Sequence, residues 1–185
     1  MSKRLPSISI LTLLTLLTSL TLLAALAPAA RAQDACMDFK WDVSKERALF
    51  AGPPTVMQAG TDVKSAPIVL PNHLYQLALA AQKSVDFQVR QGKKSDEDVH
   101  AGLAILRIST EGSYRISVDL PVWIDVVTQD SVLAPADFQG QHNCAAPRKV
   151  VVFDLKGTKP FLLQFSGAAI GQLLVTVTPV PERIG

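Results

Sequence analysis

The stretch Tyr114-Arg115-Ile116-Ser117-Val118-Asp119-Leu120-Pro121-Val122-Trp123-Ile124-Asp125-Val126-Val127-Thr128 holds two runs of period two. In the first, Tyr114, Ile116, Val118 and Leu120 alternate with Arg115, Ser117 and Asp119. In the second, Ile124 and Val126 face opposite to Trp123, Asp125 and Val127. Successive side chains of a strand point to opposite faces, so both runs predict strands with an apolar side. The same pattern recurs on either side. His73–Leu79 places Tyr75, Leu77 and Leu79 together, and Val85, Phe87 and Val89 alternate with Asp86, Gln88 and Arg90. Leu103–Ile108 is apolar on both sides, and Val150–Leu155, Pro160–Phe165 and Leu173–Thr178 complete about eight strands.

The breaks between these runs are turn-like. Gly92–Asp98 is a charged loop, while Glu111-Gly112-Ser113, Lys156-Gly157-Thr158 and Ser166–Gly171 are compact connections. No long amphipathic helix separates the strands, so parallel βαβ units are not the main plan. The expectation is an all-β fold, an antiparallel two-sheet sandwich or jelly roll, preceded by a short N-terminal helix. That helix is predicted over Lys45–Phe50, with Ser44 as its cap and Gly52-Pro53-Pro54 as its stop.

The first 32 residues read differently from the rest. Lys3 and Arg4 precede an uncharged run, Ile10–Leu26, and Ala30-Arg31-Ala32 has the small-x-small pattern of a signal-peptidase site. The expected organisation is a signal peptide over residues 1–32, cleaved after Ala32 or kept as an anchor, then one domain over residues 33–185. Residues 33–60 form its N-terminal arm. Without Lys3, Arg4 and Arg31, Lys+Arg falls from 18 to 15 against 16 Asp+Glu, a net charge of about −1. The basic footprint of a nucleic-acid binder is therefore missing. Cys36 and Cys144 are an even pair in a chain read as exported, which predicts one disulfide. The rival is two free thiols, and no CxxC or Cys/His spacing favours it. The expected location is periplasmic or secreted, with no membrane span after cleavage.

Catalytic patterns are sparse. His73, His100 and His142 stand in no HxH or HExxH spacing, so neither a metal nor another cofactor is expected. His142, two residues before Cys144, is the first choice if one histidine is functional. Ser166 lacks the first glycine of a GxSxG elbow, because Gln164 stands there. Asp96, Glu97 and Asp98 lack the glycine and distal glutamate of a calcium loop. The segment Val122–Val127 stands apart. Asp125 shares a strand face with Trp123 and Val127, and an ionised carboxylate among apolar neighbours needs a partner. Arg148, Lys149 or the amides of a turn are candidates. Two readings remain: a buried hydrogen bond that gives the core its specificity, or a ligand or partner contact with Trp123 as its platform. Trp123, Asp125, Arg148 and His142 are the candidate contact residues, and no residue is assigned a catalytic role.

The ordered set Cys36, Phe39-Lys40-Trp41, Glu46-Arg47-Ala48, Trp123-Ile124-Asp125-Val126, Gly140, Cys144, Arg148-Lys149 and Gln164-Phe165-Ser166-Gly167-Ala168 resembles a family of small exported proteins of Gram-negative bacteria. Some members of that family carry the label homogentisate dioxygenase. From Gly112 onward the layout is also similar to pre-peptidase C-terminal β-sandwich domains, and this implies a binding or folding-assisting role without catalysis. The leading expectation is thus an exported, non-catalytic sandwich that binds an unknown protein or small ligand in the periplasm. One alternative is a metal-dependent, homogentisate-type dioxygenase, which needs at least two of the three histidines within about 5 Å of each other. The other is a structural subunit of the cell envelope.

Overall fold

The computed structural model describes residue 36 and residues 38–89, 98–129 and 131–181. The leader and its cleavage site lie outside these residues, as do residues 92–97 of the charged loop. Among the described residues are one helix, α1 (Ser44–Phe50), one 3-10 turn (Gln82–Ser84) and twelve strands. The strands are β1 (Thr55–Gln58), β2 (Ile68–Val69), β3 (Leu74–Ala78), β4 (Ala80–Ala81), β5 (His100–Leu106), β6 (Gly112–Val118), β7 (Trp123–Thr128), β8 (Ser131–Val132), β9 (Asp137–Gly140), β10 (Lys149–Leu155), β11 (Phe161–Ala168) and β12 (Gln172–Pro179). Two sheets result, in the orders β1-β3-β12-β6-β10-β9 and β2-β5-β11-β7-β8, with β4 added beside β5. The last two strands are thus interior members of their sheets, one in each.

The fold is the expected two-sheet sandwich. Seven of the eight expected runs are strands, and the additional strands are two to four residues long at the margins. Two marginal pairings, β1 with β3 and β2 with β5, are parallel. Between the sheets lie Leu77, Leu106, Ile116, Phe153, Leu163, Phe165, Leu173 and Val175, all essentially inaccessible. Burying each side chain of this size stabilises the fold by about 1.5–3 kcal/mol. Tyr114 is held by its hydroxyl, which donates to the Thr110 carbonyl at 2.7 Å and closes a tyrosine corner at the start of β6.

The outer face of the first sheet is covered by the N-terminal arm. Cys36 and Cys144 form the expected disulfide, with Cα atoms 4.9 Å apart, and pack with Phe39, Val43 and Val150. Ser44 is not the cap of α1. It is the first helical residue, and the Asp42 carboxylate accepts its amide at 2.9 Å. This bond is the main cause of a lowered Asp42 pKa. Beneath the helix the covered face is polar. Glu46 is 1% exposed, accepts from the Thr178 hydroxyl and lies 3.4 Å from Arg115 Nη1. Arg115 also donates to the Asp42 carbonyl at 2.7 Å and stacks 5.6 Å from the Trp41 ring centroid.

The run Val85–Val89 is not a strand, although its residues alternate. It crosses the outer face of the second sheet as a strap, and its main chain meets a side chain in place of a ladder. Gln164, fully buried on β11, accepts from the amides of Gln88 at 2.9 Å and Val89 at 3.3 Å. It donates back to the Val89 carbonyl at 3.1 Å. Val85, Phe87 and Val89 pack there against Ala101, Leu103, Ile105, Val127 and Leu162. β5 is consequently apolar on both sides, as its sequence predicts.

Candidate functional site

β7 begins at Trp123, immediately after a tight turn in which the Val122 amide bonds the Leu120 carbonyl at 2.9 Å. The alternation of β7 sends Ile124 and Val126 into the core and leaves Trp123 and Asp125 on the outer face. Trp123 pairs with Ser166 of β11, and beside it the register of β11 with β5 slips between Phe165 and Ala168. Gly167 makes this bulge with a φ of +75°, a conformation that disfavours residues carrying a Cβ. A Cβ there would lie 3.6 Å from the indole Cδ1, so the ring stands over a flat backbone surface. The Gly167 amide is tied to Gln82 Oε1 at 2.8 Å, which anchors the start of the strap beside the tryptophan. Trp123, the first residue of β7, remains 57% exposed.

Lys149 completes the arrangement from the other sheet. It opens β10, its Nζ donates to the Val122 carbonyl at 2.7 Å, and it lies 5.3 Å from the Trp123 ring centroid. At that distance the ammonium is attracted by the negative face of the indole. Burial pushes the Lys149 pKa down, against the opposing pull of Asp125. Burial likewise pushes the Asp125 pKa up, against the opposing pull of Lys149. For both groups partial desolvation outweighs mutual attraction. The arrangement is a half-buried pair of opposite charges beside an exposed aromatic plane. It offers stacking area, one cation and one carboxylate, and no nucleophile with a base.

Of the candidate residues, Trp123 and Asp125 are brought together, and their partner is Lys149 rather than Arg148. Arg148 and His142 form a separate unit. Arg148 donates to the His142 carbonyl and lies 3.3 Å from His142 Nδ1, across the loop that carries Cys144. The Gln141 amide bonds the Arg148 carbonyl at 2.9 Å, closing the base of that loop. Arg148 and His142 thus shape the disulfide loop. Gln82 escaped the sequence reading, and Gln164 entered it only as the residue that breaks a GxSxG elbow and within the family resemblance. The signal for Gln164 was available, as an amide side chain inside the apolar run Phe161–Phe165 needs a buried partner.

The histidines lie on different parts of the fold. His73 Nδ1 is 2.9 Å from the Pro71 carbonyl, next to Asn72, whose amide bonds Val177 near the end of β12. The ring of His100 sits against Gly171, just before the start of β12. Among the described residues no group of three or more His, Cys, Asp or Glu is placed to hold a metal ion. Ser166 is buried on β11, and Ser113 donates to Asp154 at the opposite margin of the fold. Among the described residues no helix is long and apolar enough to cross a membrane. No known family model matches the chain, and no curated protein does.

Proposed function

We propose that the protein is an exported, non-catalytic β-sandwich that binds a partner or small ligand in the periplasm through the Trp123–Asp125–Lys149 platform. One observation carries this reading: a tryptophan at the start of β7 is 57% exposed, with a lysine ammonium from the other sheet 5.3 Å from its ring centroid. Rigid aromatic surface flanked by desolvated charge is the usual make-up of a binding hot spot. The leader-like first 32 residues and the disulfide support export. The resemblance to small exported proteins agrees with export, and that to pre-peptidase C-terminal sandwiches agrees with a binding role.

The test is capture from a periplasmic fraction by the native protein, Trp123→Ala and Phe138→Ala. Phe138 is the control, being 63% exposed on β9, at the far side of the first sheet. Species held by the native protein and by Phe138→Ala, but lost with Trp123→Ala, are expected. Equal retention by all three refutes the platform. The reading as a structural envelope subunit is favoured by Val56, Val132 and Phe138, exposed on the marginal strands β1, β8 and β9. Crosslinking that depends on these residues and not on Trp123 would decide for it.

A further inference from the structure

We infer that the seam between the N-terminal arm and the first sheet is a binding site for an enclosed water molecule, held jointly by Glu46, Arg115, Ser117 and Thr176.

The seam is built on the outer face of β6 and β12. Ile116, Val175 and Val177 point into the core, so Arg115, Ser117, Thr176 and Thr178 point the other way. The ladder pairs Ser117 with Thr176 and Arg115 with Thr178, which makes the four one contiguous polar patch. Above it α1 packs on β12, and all four residues are buried together with Glu46. Part of the patch is satisfied within the protein. Glu46 Oε1 accepts from the Thr178 hydroxyl and lies 3.4 Å from Arg115 Nη1, which also donates to the Asp42 carbonyl.

The rest of the patch is not. Glu46 Oε2, Arg115 Nε, Ser117 Oγ and Thr176 Oγ1 are buried and have no hydrogen-bond partner among the described residues. Unpaired buried polar groups are costly, and four in one patch point to a molecule that pairs them. Its chemistry follows from theirs. Oε2 accepts, Nε–H donates, and each hydroxyl can do either. A water molecule, with two hydrogens and two lone pairs, complements such a set, and two to four polar partners are what a buried water requires. Ser117 and Thr176 face each other across the ladder with Cβ atoms about 4.5–5.5 Å apart, yet no bond joins their hydroxyls. A bridging oxygen between them supplies what direct contact does not. Arg115 disfavours a cation at this place and Glu46 an anion, so the molecule is neutral. Ser117 and Thr176 are wholly inaccessible, which leaves no way in for anything larger.

The test is Thr176→Val in the oxidised protein, read by urea unfolding. Replacing an unpaired buried hydroxyl by a methyl group of the same shape is neutral or stabilising, whereas removing a partner of a bound water is destabilising. The folding equilibrium constant is therefore expected to fall about fivefold. An unchanged or raised constant overturns the inference. A high-resolution crystal structure of the native protein decides independently, and alone if the variant fails to fold. It should show an ordered water within hydrogen-bonding distance of Glu46 Oε2 or Arg115 Nε and of at least one of the two hydroxyls. If those atoms are bonded directly to protein groups, or no water lies among them, the inference falls, even where Thr176→Val destabilises.

Discussion

Replacing Cys36 and Cys144 together by serine opens a loop whose ends are 108 residues apart. The chain-entropy relation for a loop of that size gives about 16 cal/mol/K, or about 4.8 kcal/mol at 25 °C, lost from the native side of the balance. For a domain of about 150 residues, with an unfolding entropy of about 0.3 kcal/mol/K near its midpoint, Tm is expected to fall by about 15 °C. The native contacts of the arm do not require the bridge. Phe39 and Val43 pack on Val150, Lys40 donates its amide to Gln139 at 2.8 Å, and Glu46 meets Thr178 and Arg115. The variant should therefore keep its near-ultraviolet circular dichroism, and the Lys40 amide should stay protected from exchange. Calorimetry and urea unfolding of the variant supply the measurement, and the native protein reduced with a phosphine should behave alike. A single transition lowered by less than about 5 °C would show that the unfolded chain gains little freedom. An arm that exchanges freely while the sandwich keeps its midpoint would refute the reasoning differently, since arm and sandwich would then be separate cooperative units.

Arg115→Met leaves the buried Glu46 carboxylate without its cation and is expected to cost about 3–5 kcal/mol in urea unfolding, with Glu46→Gln in the same chain recovering at least half. Asp125 has its pKa raised by burial, so just above 3.8 the native state holds more protons than the unfolded state, and stability falls as pH rises through that window. Asp125→Asn should flatten this decline in Tm as pH rises from 3.8, and an unchanged slope would contradict it. Lys149, lowered by burial, has the opposite sign: just below 10.5 the unfolded state binds more protons, so its contribution to stability grows as pH rises, and Lys149→Met should remove that rise. Gly60→Ala places a Cβ 2.5 Å from the Ala66 Cα, beside the bridge to Leu103, and should destabilise by about 1–3 kcal/mol, as read by the midpoint of urea unfolding.

The strands that the sequence makes legible are those with long pairings. β5, β6, β7, β10, β11 and β12 have six to eight residues each, enough for alternation to show. β2, β4 and β8 have two residues, and a pairing that short leaves no period to read. Val85–Val89 misleads for a physical reason. Its alternation reports an apolar floor beneath it, which a strap shares with a strand, and says nothing of what bonds its backbone. At the site, Asp125 among apolar residues called for a partner, with Arg148, Lys149 or turn amides left open. The choice of Lys149 over Arg148 depended on where β10 begins, because consecutive residues point opposite ways. Glu46 entered the sequence reading only as a residue of the predicted helix and of the family resemblance, and its partners Arg115 and Thr178, distant in sequence, meet it where it is buried.

The placement of β11 and β12 bears on the order in which the molecule is made. Each sheet is bridged through its middle by one of these strands, β5 to β7 by β11 and β3 to β6 by β12. A chain synthesised as far as Lys159 owns every flanking piece and neither keystone. It is left with four strand edges that lack their native mates until its final two strands emerge. Under the export reading proposed above, such a delay keeps the chain from closing before its passage. Here the delay is written into connectivity, and moving the last two strands to the front by circular permutation should yield a chain that closes during synthesis.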